Sequence, residues 1–82
     1  MAKKQKMKKS EARILIYLAQ VNAPQRNIAT VSRKLDIDYT YCLRILKLMK
    51  EKGWVREHKL ETKTFYDVVS TITLKMAREV LE

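Results

Sequence analysis

The sequence predicts an α+β domain that is mainly α-helical, built as three helices, a β-hairpin and a closing helix. Three observations carry that expectation. A single Gly and a single Pro in 82 residues leave few breaks between regular elements. Apolar residues recur three and four apart through the first half of the chain, as one face of a helix requires. Beyond Gly53 the pattern becomes aromatic and β-branched, as strands require. A chain this short buries only about 60% of the surface it exposes unfolded, so a compact core is expected and a large active-site cleft is not.

Residues 1–9, "MAKKQKMKK", hold five Lys and no acid and lack apolar periodicity. They predict a disordered basic tail that either follows phosphates or only keeps the chain in solution, and the folded domain is expected over residues 10–82. Ser10 can cap helix 1, about Glu11 to Gln20, with Ala12, Ile14, Leu15, Leu18 and Val21 as its apolar stripe. Pro24 then interrupts the chain, because it cannot donate a backbone hydrogen bond. Asn27 caps helix 2 over Ile28 to Leu35, in which Ile28, Val31 and Leu35 share one side.

"DID" at 36–38 makes a tight turn: Asp36 tolerates a left-handed backbone, Ile37 plugs the core and Asp38 caps the next helix. Two helices joined so closely are a helix-turn-helix candidate. At 100° per residue, Cys42, Ile45, Leu46 and Met49 of helix 3 fall in one narrow core sector, while Thr40, Arg44, Lys47 and Glu51 point away. Tyr41 and Leu43 flank that outward face, and Leu48 also lies outside the core sector. Gly53 supplies the left-handed stop. "WVREH" and "TFYDVVSTI" read as hairpin strands separated by the charged "KLETK", and Thr73 is expected to cap a last helix with Leu74, Ala77, Val80 and Leu81 inward.

The net charge of +9 favours a polyanionic partner, nucleic acid before an acidic membrane surface. Removing the five tail lysines leaves +4 on residues 10–82, so the folded part is mildly basic. The longest apolar run, "ILIYLA", falls far short of the roughly 20 residues of a membrane span. A single cysteine excludes an intrachain disulfide and a multi-cysteine zinc site, and with no secretory signal the expected location is the cytoplasm, in association with the nucleoid. Lone His58 gives no metal site, and no nucleophile sits beside a base, so neither an enzyme, a cofactor nor a metal is expected.

The element order and the segment "IATVSRKLDIDYTYCLRILKLMKEKGWV" resemble the winged helix-turn-helix DNA-binding domain of bacterial and archaeal transcriptional regulators, closest to the MarR and ArsR families. The resemblance covers about residues 10–82, and Met49, Gly53, Trp54 and Val55 match the family's L-x-x-x-G-[LW]-[VI] ending. It implies a recognition helix, about 38–52, whose Thr40, Tyr41, Leu43, Arg44 and Lys47 face the major groove, and a wing, about 56–64, on backbone or minor groove. Asp36 stands where the family often has Gly, and the Gly usual at the start of the last helix is replaced near Ala77.

The chemistry of these side chains agrees with that role. Arg44 can bind guanine O6 and N7 bidentately, Thr40 a base edge or phosphate, and Tyr41 a phosphate or thymine methyl. Lys47, Lys59, Lys63, Arg33 and Lys34 suit phosphates, since flexible cations neutralise charge without reading sequence. Cys42 reads as a small core residue rather than a redox sensor, and Trp54 with one of Phe65 or Tyr66 as hairpin packing rather than base stacking. The expected protein is a sequence-specific duplex-DNA-binding regulator, homodimeric through helix 1 and the last helix, with no small-molecule ligand. The competing reading is a winged-helix interaction module or a non-specific nucleoid-structuring protein.

Overall fold

A computed structural model of the chain describes residues 6–82. Helix α1 spans Lys9–Gln20, a short 3-10 turn Ala23–Gln25, α2 Ile28–Leu35 and α3 Tyr39–Glu51. Strands β1, Val55–Leu60, and β2, Lys63–Val68, form an antiparallel hairpin, and α4 spans Thr71–Leu81. The predicted architecture and element order are those of the molecule. Residues 1–5 of the expected basic tail lie outside the described residues. Its far end does not behave as a tail, because Lys9 opens α1 and Met7 packs against the core.

The helix boundaries follow from their caps. Asn27 Oδ1 accepts the Thr30 N–H at 2.9 Å and Asp38 Oδ2 that of Tyr41 at 3.2 Å, so α2 and α3 begin where expected. α2 ends on Asp36 at φ 56°, with Ile37 N donating to Ser32 O at 2.8 Å. α3 ends the same way on Gly53 at φ 80°, with Trp54 N donating to Met49 O at 2.9 Å. Both are Schellman closures, in which a left-handed residue turns the chain and leaves an apolar side chain facing the helix it has just left.

The two outer helices depart from expectation. α1 begins at Lys9 rather than after a Ser10 cap, because Glu11 Oε1 reaches back to accept the Lys8 N–H at 2.8 Å. The other carboxylate oxygen of Glu11 meets Lys52 Nζ at 2.9 Å, and Glu11 is buried there. α4 is capped by Ser70, whose Oγ accepts the Thr73 N–H at 3.3 Å; Thr73 itself lies buried inside the first turn. β2 accordingly stops at Val68 instead of running on towards Ile72.

One core joins all these elements: Ala12, Ile14, Leu15 and Leu18 of α1, Ile28 and Val31 of α2, the four expected residues of α3, then Trp54, Val55, Tyr66 and Ala77. Trp54 is therefore interior, and Lys52 Nζ sits 4.7 Å from its ring centroid. Of the Phe65 and Tyr66 pair, Tyr66 turns inward. Cys42 is fully buried, and burial pushes its thiol pKa up to about 11, as suits a packing residue.

Candidate nucleic-acid interface

The outward face of α3 is fixed by what its inward face buries. With Cys42, Ile45, Leu46 and Met49 in the core, Thr40, Tyr41, Arg44 and Lys47 emerge on exposed surface. Leu43 is only partly exposed: one side packs on the edge of the core, and the other lines a shallow groove with Thr40, Arg44, Lys47, Leu48 and Glu51. Leu48 is exposed, and Glu51 makes this face less uniformly basic than the lysines alone suggest.

The hairpin is held at its root from both sides. On the α3 side, Glu57 accepts the Tyr66 hydroxyl at 2.7 Å and Lys50 Nζ at 3.0 Å. The Tyr66 hydroxyl and then Lys50 hold the Glu57 carboxyl below the usual carboxylate range. Burial, with the carboxylate beside it, raises the Tyr66 phenol well above its ordinary value. On the other side Tyr66 N donates to Arg26 O at 3.0 Å and Asn27 bridges to Phe65, which adds the α1–α2 connector to the sheet edge. Asp67 completes this side, with Arg26 Nη1 at 2.9 Å and His58 Nε2 at 2.8 Å.

The wing tip is less constrained. Glu61 and Thr62 form a two-residue turn, with Leu60 opposite Lys63 and Lys59 opposite Thr64. Glu61 takes φ 54°, a conformation that favours Gly or Asn. Lys59 lies on the same pleat face as Glu57, the face towards α3. Lys63 lines a second groove of about 350 Å³ together with Arg33 of α2 and Tyr39, the first residue of α3.

Among the described residues the ion-paired acids are Glu11, Glu57 and Asp67, while Glu51 borders the α3 groove and Glu61 lies in the wing turn. Among the described residues Arg33, Lys34, Arg44, Lys47, Lys59 and Lys63 take part in no ion pair. The fold thus gathers Thr40, Leu43, Arg44 and Lys47 on one groove and Arg33 with Lys63 on another, whereas Lys34 and Lys59 are exposed beside them and line neither. The site expected from sequence omits Tyr39, which is 52% exposed. Its signal was its place directly after the Asp38 cap, where a helix's first side chains project beside its end.

The family model for the sugar-specific transcriptional regulator TrmB matches residues 3–71. The chain belongs to the TrmB family. TrmB proteins are transcriptional regulators rather than enzymes, and the winged helix-turn-helix expected from sequence is confirmed, with TrmB as the matched family where MarR and ArsR had been the nearest resemblances. No curated protein is significantly similar in sequence.

Solved structures agree on the fold. The homodimeric winged helix-turn-helix DNA-binding domain of Mb0332 from Mycobacterium bovis, described as a possible ArsR-family transcriptional regulator, matches with TM-score 0.70 and 20% identity, over 87% of this chain and 63% of its own. A mutant of ZitR from Lactococcus lactis matches with TM-score 0.75 and 20% identity, over 96% of this chain and 56% of its own. Reduced HlyU from Vibrio cholerae matches with TM-score 0.57 and 16% identity, over 87% of this chain and 85% of its own. The TrmB-family chain thus spans under two thirds of the Mb0332 domain and little more than half of ZitR.

Proposed function

We propose that this TrmB-family protein binds duplex DNA sequence-specifically, with α3 in the major groove and the wing on backbone or minor groove. The observation that carries the reading is the set of exposed cations, unpaired among the described residues, that α2, α3 and the wing present together. In this reading Arg44 is the principal base contact, Thr40, Tyr41 and Leu43 touch neighbouring base edges, and Lys47, Lys59, Lys63, Arg33 and Lys34 neutralise phosphates. The lysines of the first nine residues add charge along the backbone. The protein acts in the cytoplasm, in association with the nucleoid, where its DNA target is.

A homodimer fits this role, because two-fold operators match two-fold proteins. α1 and α4 pack together, and α4 leaves Ile72 and Leu81 exposed; the Mb0332 domain is homodimeric. Sedimentation that finds only monomer at high concentration removes this part. No helix among the described residues is long and apolar enough to cross a membrane, and we assign none as a partner. We assign no small-molecule ligand either. The groove of about 460 Å³ behind the wing is lined by Ala23, Pro24, Leu60 and Phe65, and its polar rim of Arg26, His58 and Asp67 is already bonded within itself.

Selection of bound duplexes from a random pool at near-physiological salt tests the function. A recurrent sequence supports specific regulation, and a palindrome supports the dimer as well. Binding that enriches no sequence favours the nucleoid-structuring reading instead.

A further inference from the structure

We propose that the groove between α2, the start of α3 and the wing turn seats a single DNA phosphodiester, held by Arg33 and Lys63 with the hydroxyls of Thr30, Tyr39, Thr62 and Thr64. This inference rests on the DNA-binding reading above and names one site within it. Three separate elements contribute to the groove, which measures about 350 Å³ and has no carboxylate in its lining. Its two cations have no ion pair among the described residues. Its neutral polar side chains are mainly hydroxyls, which can donate to phosphate oxygens without conflict. A tetrahedral anion is suited by donors arriving from several directions, and the hairpin turn provides them opposite the two helices.

Position favours a backbone phosphate over a free anion. Tyr39 immediately precedes Thr40 on α3, so a duplex laid on the outward face of that helix brings the flanking strand to this groove. The groove is open, which lets a continuous strand pass through it. The site would also fix how far the wing lies from α2 when DNA is bound, because one phosphate would bridge Lys63 and Arg33.

The test uses the whole chain and a duplex recovered by selection, its phosphates replaced one at a time by neutral methylphosphonates. At one backbone position in each half-site the replacement should weaken wild-type binding about tenfold, as loss of one charge-assisted contact does. A Tyr39→Phe, Lys63→Gln double variant should bind the unmodified duplex more weakly, keep its sequence preference, and lose nothing further at that one position. Both side chains are exposed, and an unchanged thermal melt verifies that the fold is intact. If each methylphosphonate weakens wild type and variant by equal factors, the groove holds no phosphate and the proposal fails although DNA binding stands. If wild type binds no duplex at all, the reading beneath it fails too.

Discussion

Arg44 stands out among the exposed side chains of α3 because it combines a rigid fork of donors with a central place on the outward face. Arg44→Ala should cost about 1–3 kcal/mol on the preferred duplex and relax the choice of base at one position. Titrations on matched and single-mismatch duplexes measure both effects, and unchanged values would remove Arg44 from the interface. Glu57 carries a different expectation. Its carboxyl is held below the ordinary range by the Tyr66 hydroxyl and then by Lys50. A depressed carboxyl contributes stability above its unfolded pKa and loses it as pH falls through the folded one. The melting temperature of wild type should therefore drop more steeply below about pH 4.5 than that of Glu57→Gln, while at neutral pH the variant melts lower.

At the scale of elements, local sequence decided some boundaries and distant partners decided others. Asn27 and Asp38 sit immediately before apolar periodicity, so the starts of α2 and α3 were legible from neighbours alone. The start of α1 was not, since Glu11 is fixed partly by Lys52, far away in sequence. The β-branched run around Ser70 reads as strand, and the Ser70 cap together with packing of Thr73 and Ala77 on the core turns its far end into helix. For the interface, helical period alone separated Thr40, Arg44 and Lys47 from the core residues. Tyr39, Thr62 and Thr64 come together only once the hairpin lies beside α2, which no spacing reveals. The wing turn has its own consequence: Glu61 is held at φ 54° without the freedom of Gly. Glu61→Asn should raise stability by about 0.5 kcal/mol, or a few degrees in a thermal melt, because Asn tolerates that backbone better. The same change removes an acid from the wing tip, so DNA affinity should rise as well.

For the whole molecule, charge sets the reach of binding. The six cations assigned to DNA, Arg33, Lys34, Arg44, Lys47, Lys59 and Lys63, are exposed and free of ion pairs among the described residues. With Arg44 on a base and Arg33 and Lys63 sharing one phosphate, four phosphates are neutralised, so log affinity should fall against log salt with a slope of about −4 per protomer, and the lysines of the first nine residues would steepen it. A binding series across salt concentrations reads this directly, and a slope near zero would contradict a DNA partner. The domain's own stability should respond less, because the Glu11 and Glu57 pairs are largely removed from solvent at their acidic partners.

The hairpin has one end fixed and one end free, and this makes it a cantilever. Near Tyr66 it is tied to the connector, to Glu57 and to the core; at Glu61 and Thr62 only the two strands hold each other. Among the β2 amides that face β1, hydrogen exchange should accordingly be slower at Phe65 than at Lys63. Such a beam keeps its direction while its tip conforms to the width of the surface it meets. DNA would then need to order only the few residues at the turn, and the cost of that ordering would not reach the core.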